Sequence, residues 1–155
     1  MTTSFMARAI ELSIENVRSS RGGPFGAVIV RGGEIIGEGA NRVTGTNDPT
    51  AHAEIVAIRG ACQRLGAFDL KGCEMYVSCE PCPMCLGAIY WARMARVYFA
   101  GLATDASEAG FDDSLIYDEV TAPWSERKIA MIPLMREEAL AAFRLWKAKA
   151  DRVSY

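Results

Sequence analysis

The sequence predicts a three-layer α/β/α domain built around a mixed central sheet of about five strands. Two observations lead to this prediction. A helical apolar period near the N-terminus is followed by two short apolar runs around Gly32-Gly33, and from there short strands alternate with helices. The 155 residues, 50% of them hydrophobic, are enough for one domain with its own core. We therefore expect a single domain over residues 1–155.

Each predicted element has a local signal. Helices are placed where apolar residues recur every three to four positions, and strands where short apolar runs are bounded by turn residues. Gly32-Gly33 is a typical hairpin link, and Thr50 is a typical helix cap. In order, the elements are helix 5–17, strands 25–30 and 34–39, helix 51–65, strand 74–78, a helix from Pro81 or Pro83 to about Met94, strands 96–100 and 128–134, and a final amphipathic helix 136–150.

The charge balance and the distribution of apolar residues argue against nucleic-acid and membrane partners. The net charge is −2 and the pI is about 5.5, whereas proteins that bind phosphates usually carry a basic surface. No apolar run approaches the ~20 residues of a membrane helix. Arg8, Glu11 and Glu15 interrupt the first apolar stretch, which makes it a poor signal peptide. We expect a cytoplasmic protein without nucleic-acid or membrane partners.

The cysteines suggest metal binding. There are five, an odd number, and without a secretory signal clustered cysteines indicate metal or catalytic use rather than disulfides. Cys79, Cys82 and Cys85 form such a cluster, while the isolated Cys62 and Cys73 are predicted to be small packing residues.

His52, the only histidine, is predicted to hold one Zn²⁺ ion together with Cys82 and Cys85. Catalytic zinc takes three protein ligands and keeps a fourth position for water. Because a residue before proline avoids the helical conformation, Cys82 suits the cap of a helix and Pro83 its first position, with Cys85 in the first turn. Side chains at these positions converge, and the positive end of the helix stabilises thiolates.

Glu54 is predicted to carry protons. It lies two positions after His52, and residues two apart do not share a helical face. It is therefore a poor co-ligand, and it is better placed to take a proton from a metal-activated water and return it to the substrate.

A closed Cys₃His site without catalysis is the alternative, with Cys79 as the fourth ligand. Pro81 biases Glu80 towards an extended shape, so Cys79 is expected at the end of a strand, away from the ion. A closed site would also leave Glu54 without a role. Such a protein would be a zinc-stabilised interaction module. Thiol redox chemistry is disfavoured because the overlapping C-x-x-C units accompany an H-x-E segment.

The combination of H-x-E and a downstream P-C-x-x-C is the signature of zinc deaminases. Further segments extend the match over nearly the whole chain: GGPFGAVIV, NRVTGTNDPTAHAE, SCEPCPMCLGAIYWAR, EAGFDDSLIY and the terminal Tyr155. With these segments the chain resembles the bacterial guanine deaminases, in the cytidine-deaminase-like superfamily of zinc hydrolases. The GFDDS segment and the C-terminal aromatic residue discriminate within the superfamily.

The resemblance implies a role for each matching residue. His52, Cys82 and Cys85 match the zinc ligands, and Glu54 matches the proton shuttle. Asp113 matches a carboxylate that contacts the base and assists proton transfer. The residues that match substrate-binding positions are Phe25, Asn41, Ala53, Trp91, Asp113 and Tyr155.

The resemblance further implies a homodimer with one Zn²⁺ per subunit that hydrolyses guanine to xanthine and ammonia in purine catabolism. It also implies that the C-terminal helix, about residues 136–155, crosses to the partner subunit, where Tyr155 closes the pocket. Guanosine, cytosine and adenosine in transfer RNA are alternative substrates of the same chemistry.

Structural roles are the alternatives for the substrate-binding residues. Phe25 and Trp91 could be core residues, and Asn41 could be a turn residue. Asp113 could cap a helix that begins at the next residue, and Tyr155 could be a disordered chain end.

Overall fold

The computed structural model describes residues 2–155, which divide into two compact units after Asp113. The first unit contains, in order, α1 (Thr2–Arg18), β1 (Gly26–Arg31), β2 (Glu34–Ala40), α2 (Val43–Thr46), α3 (Ala53–Leu65), β3 (Glu74–Cys79), α4 (Pro83–Trp91), β4 (Arg96–Gly101) and α5 (Ala103–Glu108). The second contains α6 (Ser114–Thr121), a 3₁₀ turn (Trp124–Glu126) and α7 (Arg136–Ala148).

Within residues 2–155 the sheet has four strands in the order β2-β1-β3-β4. β1 pairs antiparallel with β2 and β3, and β3 pairs parallel with β4, which confirms the mixed sheet. Gly32 and Gly33 link β1 to β2 with φ angles of 59° and 85°. Two successive positive φ angles are what a two-residue hairpin turn requires, and glycine adopts them without strain.

Helices cover both faces of the sheet, as the three-layer prediction requires. Because side chains alternate along a strand, β1 sends Ala27 and Ile29 to one face and Val28 and Val30 to the other. The first pair packs with alanines of α3 and with Ile89 of α4. The second pair packs with α1. The core therefore consists of two layers, one on each side of the sheet.

The predicted fifth strand is wrong. Residues 128–134 belong to the second unit and form no strand in the described chain. Pro133 has no N–H to donate to a neighbouring strand, which disfavours regular pairing at this point. The apolar residues that suggested a buried strand are exposed here, with Ile132 at 82%.

The first turn of α3 lies directly against the backbone of β2. A Cβ atom added to Gly39 would meet the Ala53 carbonyl oxygen at 2.1 Å and the Ala57 nitrogen at 2.6 Å. Both atoms belong to the helix backbone and cannot move aside as the end of a flexible side chain would. Gly39 therefore sets how closely the start of α3 approaches the sheet.

Gly39→Ala is expected to lower the free energy of unfolding by about 1–3 kcal/mol, because the added methyl forces the helix away from the strand. Gly60→Ala in the same helix is the matched control: nothing lies within 4 Å of its added Cβ. Alanine there should raise the free energy of unfolding by about 0.5–1 kcal/mol. Urea unfolding measures both variants. A Gly39→Ala protein as stable as the wild type would contradict the close contact.

Candidate metal centre and active site

The start of α3 carries His52 and Glu54. His52 is the N-cap residue in extended conformation (φ −66°, ψ 159°), and the helix begins at Ala53. The prediction that Thr50 caps this helix is wrong. The N–H and hydroxyl of Thr50 both donate to Asp48 Oδ1, at 2.8 and 2.7 Å, in a turn of their own. His52, instead of Thr50, occupies the N-cap position of α3.

The start of α4 repeats this arrangement with a cysteine. Cys82 is the N-cap residue (φ −68°, ψ 168°) and Pro83 is the first residue of the helix, as predicted. Cys85 lies in the first turn and is completely buried. The imidazole and one sulfur thus come from the cap residues of two helices, and the second sulfur comes from the first turn of α4.

Three potential metal ligands converge between these helix starts. The Nδ1 atom of His52 lies 3.6 Å from Cys82 Sγ and 3.5 Å from Cys85 Sγ. All three ligand atoms lie within 4.8 Å of one another. Tetrahedral zinc, with Zn–S near 2.3 Å and Zn–N near 2.0 Å, separates N and S ligands by about 3.5 Å. The spacing and the donor set fit a zinc ion.

A shared proton links the two sulfurs. A hydrogen bond from the Cys85 thiol lowers the pKa of Cys82 to about 4, and the adjacent His52 acts in the same direction. The same hydrogen bond raises the pKa of Cys85. The hydrogen bond with Cys82 is the main cause that raises the pKa of His52. These interactions favour the thiolate form of Cys82, the form of cysteine that binds metals.

Glu54 is not part of the ligand group, but it lies close enough to interact with all three of its members. Its residue is 6% exposed, and this burial is the main cause that raises the pKa of its carboxyl. A hydrogen bond from its own backbone N–H and the charge of His52 act in the opposite direction. A buried carboxyl next to a metal group can hold a proton in one step and release it in another.

Cys79 does not join the group. It is the last residue of β3, and its thiol donates to the Leu102 carbonyl oxygen at 3.5 Å. Among residues 2–155, the cluster that could hold a metal consists of His52, Cys82 and Cys85. Three ligands leave one tetrahedral position for water or substrate, which a closed Cys₃His site would not.

Asn41 follows β2 and is buried. Its Oδ1 accepts hydrogen bonds from the N–H groups of Gly23, at 3.3 Å, and Val43, at 3.2 Å. Its own N–H donates to the Phe25 carbonyl oxygen at 3.1 Å. These bonds fix the orientation of the amide and join Asn41 to Phe25, another residue predicted to bind the substrate.

The two predicted aromatic residues have different surroundings. Phe25 is half-buried against the core and meets Phe111 edge to face, with ring centroids 5.0 Å apart. Trp91, at the end of α4, is 64% exposed, and the Arg93 guanidinium lies over its ring at 5.9 Å. A core role is therefore excluded for Trp91, while Phe25 combines core packing with an accessible side.

Asp113 lies near enough to the metal group to sense its charge. Burial is the main cause that raises the pKa of its carboxyl, and the negative charges of Cys82, Asp112 and Glu80 raise it further. Glu80 itself accepts a hydrogen bond from the Ala103 N–H at 3.0 Å, at the start of α5.

The other two predicted substrate-binding residues differ in burial. Ala53 is buried, and its side chain belongs to the core layer under α3. Tyr155 belongs to the second unit and is 74% exposed.

Sequence reasoning missed two residues. Asn16 is buried and donates hydrogen bonds to the carbonyl oxygens of Gly23 and Asn41, at 2.8 and 2.9 Å. Phe111 contacts Phe25 as described above. A signal for Asn16 was available, because it follows Ser13 by three positions on the inward face of the first predicted helix, where a polar residue needs a partner. Phe111 lies in a loop within the GFDDS segment, which the resemblance singles out for Asp113 without giving Phe111 a role.

Comparisons with known proteins agree with this geometry. Residues 1–101 match the model of the cytidine and deoxycytidylate deaminase zinc-binding region. Guanine deaminase of Bacillus subtilis is 55% identical over 152 residues, which cover 98% of this chain and 97% of that protein. The X-ray structure of guanine deaminase from Bacillus subtilis superimposes with a TM-score of 0.96 at 54% identity, covering 99% of this chain and 98% of the other.

A second group of relatives matches only part of the chain. The tRNA-specific adenosine deaminase of Aquifex aeolicus is 51% identical over 79 residues, which cover 51% of this chain and 52% of that protein.

Taken with the His52, Cys82 and Cys85 group, the family match supports one Zn²⁺ per subunit. The described chain contains no helix with the length and apolar character that crossing a membrane requires. The chain belongs to the cytidine and deoxycytidylate deaminase zinc-binding family and is a homologue of guanine deaminase.

Proposed function

We propose that the protein is a zinc-dependent deaminase that hydrolyses guanine to xanthine and ammonia. The observation that carries the proposal is a three-ligand metal group with a buried carboxyl, Glu54, beside it. Similarity to a guanine deaminase over 98% of the chain supports guanine as the substrate.

His52, Cys82 and Cys85 hold the zinc ion in this proposal, with the fourth position open. When bound, zinc lowers the pKa of a water ligand to about 7 and so makes a nucleophile available at neutral pH. The two cysteines give their charge to the ion, and the neutral imidazole completes the set.

Glu54 is the proton carrier. It takes one proton from the attacking water and delivers it to a ring nitrogen of the purine, which keeps it in xanthine. The second proton of that water passes from the new hydroxyl group to the amine, which leaves as ammonia while the carbonyl of xanthine forms. The burial of Glu54 keeps bulk water from competing for the transferred proton, and its position beside the ligand group brings it to the reacting atoms. Asp113 shares the transfer of the second proton, since burial raises the pKa of its carboxyl and so favours its holding a proton.

The base is held by its faces and its edge. A purine is flat and apolar on both faces, so the rings of Phe25 and Trp91 suit it as walls. Its edge carries donors and acceptors that the Asn41 amide and the Asp113 carboxylate complement. Ala53 contributes through its main chain, because its side chain packs in the core.

Other substrates fit less well. A transfer-RNA enzyme needs a basic surface for phosphates, whereas this chain carries a net charge of −2, and a tRNA-specific deaminase matches about half of it. Guanosine and cytosine remain alternatives of the same chemistry. A non-catalytic zinc module would leave the buried Glu54 without a function.

A cytoplasmic homodimer is the proposed state. The helices of the second unit contain no buried residue over positions 114–148. Exposed apolar surface of this extent is usually covered by another protein surface. The proposed cover is a second copy, with the C-terminal helix crossing over so that Tyr155 closes the partner's pocket. The large exposed side chains of the unit include Val120, Ile129, Ile132, Leu134, Phe143 and Leu145.

Glu54→Gln is expected to reduce the kcat for guanine at least 10²-fold, because the amide cannot carry the proton. Zinc content and melting temperature should stay near those of the wild type, since Glu54 is not a ligand. Glu34→Gln on exposed β2 is the matched control and should keep full activity. Guanine-dependent ammonia release, xanthine formation and zinc analysis are measured together. If the Glu54→Gln variant still releases ammonia from guanine at the wild-type rate, Glu54 is not the proton carrier.

The ligand set can be tested by comparing neighbouring cysteines. Cys85→Ser should lose most of its zinc and its activity, because a hydroxyl is a far weaker zinc ligand than a thiolate. Cys79→Ser should keep about one zinc per subunit and most of its activity, because only a bond to the Leu102 carbonyl is altered. Zinc loss by Cys79→Ser would instead indicate a closed four-ligand site.

Deletion of Tyr155 is expected to raise the KM for guanine about tenfold or more by opening the pocket to water. A complementation experiment tests whether the C-terminal helix crosses to the partner subunit. The Tyr155-deleted chain is refolded together with inactive Glu54→Gln chains, which still carry Tyr155. If the residue acts in the partner's pocket, the mixture should deaminate guanine with a wild-type KM. A mixture that keeps the high KM would place Tyr155 in its own subunit's site.

A further inference from the structure

Asn16 is a buried polar residue to which the proposed chemistry gives no role. It lies near the end of α1, outside every segment that supplies the metal group, and it is 1% exposed. A polar side chain buried so deeply costs stability unless its donors and acceptors are paired. The hydrogen-bond partners of Asn16 therefore indicate which part of the structure it supports.

The side chain of Asn16 bonds to Gly23, to Asn41 and to the neighbouring Arg42. Its Nδ2 donates to the Gly23 carbonyl oxygen at 2.8 Å and to the Asn41 carbonyl oxygen at 2.9 Å. Its Oδ1 accepts from Arg42 Nη1 at 3.3 Å. One side chain thus uses both of its amide donors to join the glycine segment before β1 to the end of β2.

The second asparagine closes the same network. Asn41 Oδ1 accepts from the Gly23 N–H at 3.3 Å, so both backbone groups of Gly23 are bound by asparagine side chains. The packing is tight as well, since a Cβ added to the neighbouring Gly22 would meet the Asn41 carbonyl oxygen at 2.2 Å. Asn16 therefore restrains the backbone of Asn41, while Gly23 restrains the direction of its amide.

We propose that Asn16 is a positioning residue that fixes the Asn41 amide for recognition of the purine base. This inference rests on the proposed function, in which Asn41 binds the edge of the base. Without the two bonds from Nδ2, the Asn41 main chain keeps its bond to the Phe25 carbonyl, and its amide is joined to the Gly23 segment only by the bond from the Gly23 N–H, at 3.3 Å. The position of the Asn41 amide is then held less firmly. Binding of any purine base should then weaken, whereas the metal group and Glu54 keep their places on α3 and α4.

Two variants separate positioning from general stability. Asn16→Asp keeps the shape of the side chain and the acceptor for Arg42 but removes both donors, and Asn16→Ala removes all three bonds. Ser13→Ala is the matched control on the same face of α1. Ser13 is buried too, but its hydroxyl bonds only within the helix, to the Ile10 carbonyl.

The readouts are KM and kcat for guanine, the inhibition constant of xanthine, zinc content and melting temperature. In both Asn16 variants, the KM and the inhibition constant are expected to rise together about tenfold, with kcat within about twofold of the wild type. Ser13→Ala should leave both constants unchanged even where it lowers the melting temperature. If KM and the inhibition constant stay within about twofold, or if kcat alone falls, the positioning role is wrong.

A double-mutant cycle tests the route through Asn41. If Asn16 acts only by holding Asn41, adding Asn16→Ala to Asn41→Ala should cause less than about a twofold further loss of kcat/KM. If the losses of kcat/KM in the two single variants instead multiply in the double variant, Asn16 does not act through Asn41. If Asn16→Asp does not fold, Asn16→Ser, which keeps one donor, takes its place and should raise KM by a smaller factor.

The proposed function is tested separately, by the wild type. If the wild type releases no ammonia from guanine, that proposal fails. The Asn16 comparison is then made with the base that the wild type does deaminate, and an unchanged KM for that base would overturn the positioning role.

Discussion

The first turn of α3 can rest on β2 only because Gly39 has no side chain, since an added Cβ would lie 2.1 Å from a backbone oxygen of the helix. This contact fixes how closely the first turn of α3 approaches the sheet, and with it the positions of His52 and Glu54. Pro83 fixes the start of α4 and leaves Cys82 in the cap position. Because both helix starts are held in this way, the Nδ1 atom of His52 lies 3.6 Å from the sulfur of Cys82.

The same convergence concentrates negative charge at the site. The Cys82 thiolate is among the causes that raise the pKa of both Glu54 and Asp113, although burial is the main cause for each. Helix N-termini offset part of this charge, and a divalent cation would offset more. A site with these residues thus combines a metal-binding group with carboxyls whose pKa is raised above that of a free carboxyl, the combination that hydrolytic deamination needs.

The metal group could be predicted from short stretches of sequence. The residue before Pro83 has few backbone conformations open to it, and the spacing of the H-x-E and P-C-x-x-C motifs identifies the other ligands. Features that depend on distant contacts were not predictable in this way. Asn16 bonds to residues 7 and 25 positions away. Thr50 is a case of local competition instead: it is a residue type that often caps helices, yet Asp48, two positions before it, binds both of its donors. The run around Pro133 has the apolar content of a strand without the N–H groups to pair fully.

The central claim is that a zinc-loaded homologue of guanine deaminase has kept guanine as its substrate. Ammonia release from guanine, guanosine, cytosine, adenine and adenosine at equal concentration tests it most directly. Guanine should be converted with one xanthine per ammonia, and kcat/KM should exceed that of every other compound by at least about 10²-fold, because a pocket that hydrogen-bonds the base edge leaves polar groups unpaired with a wrong base. A preference for any other compound would contradict the claim.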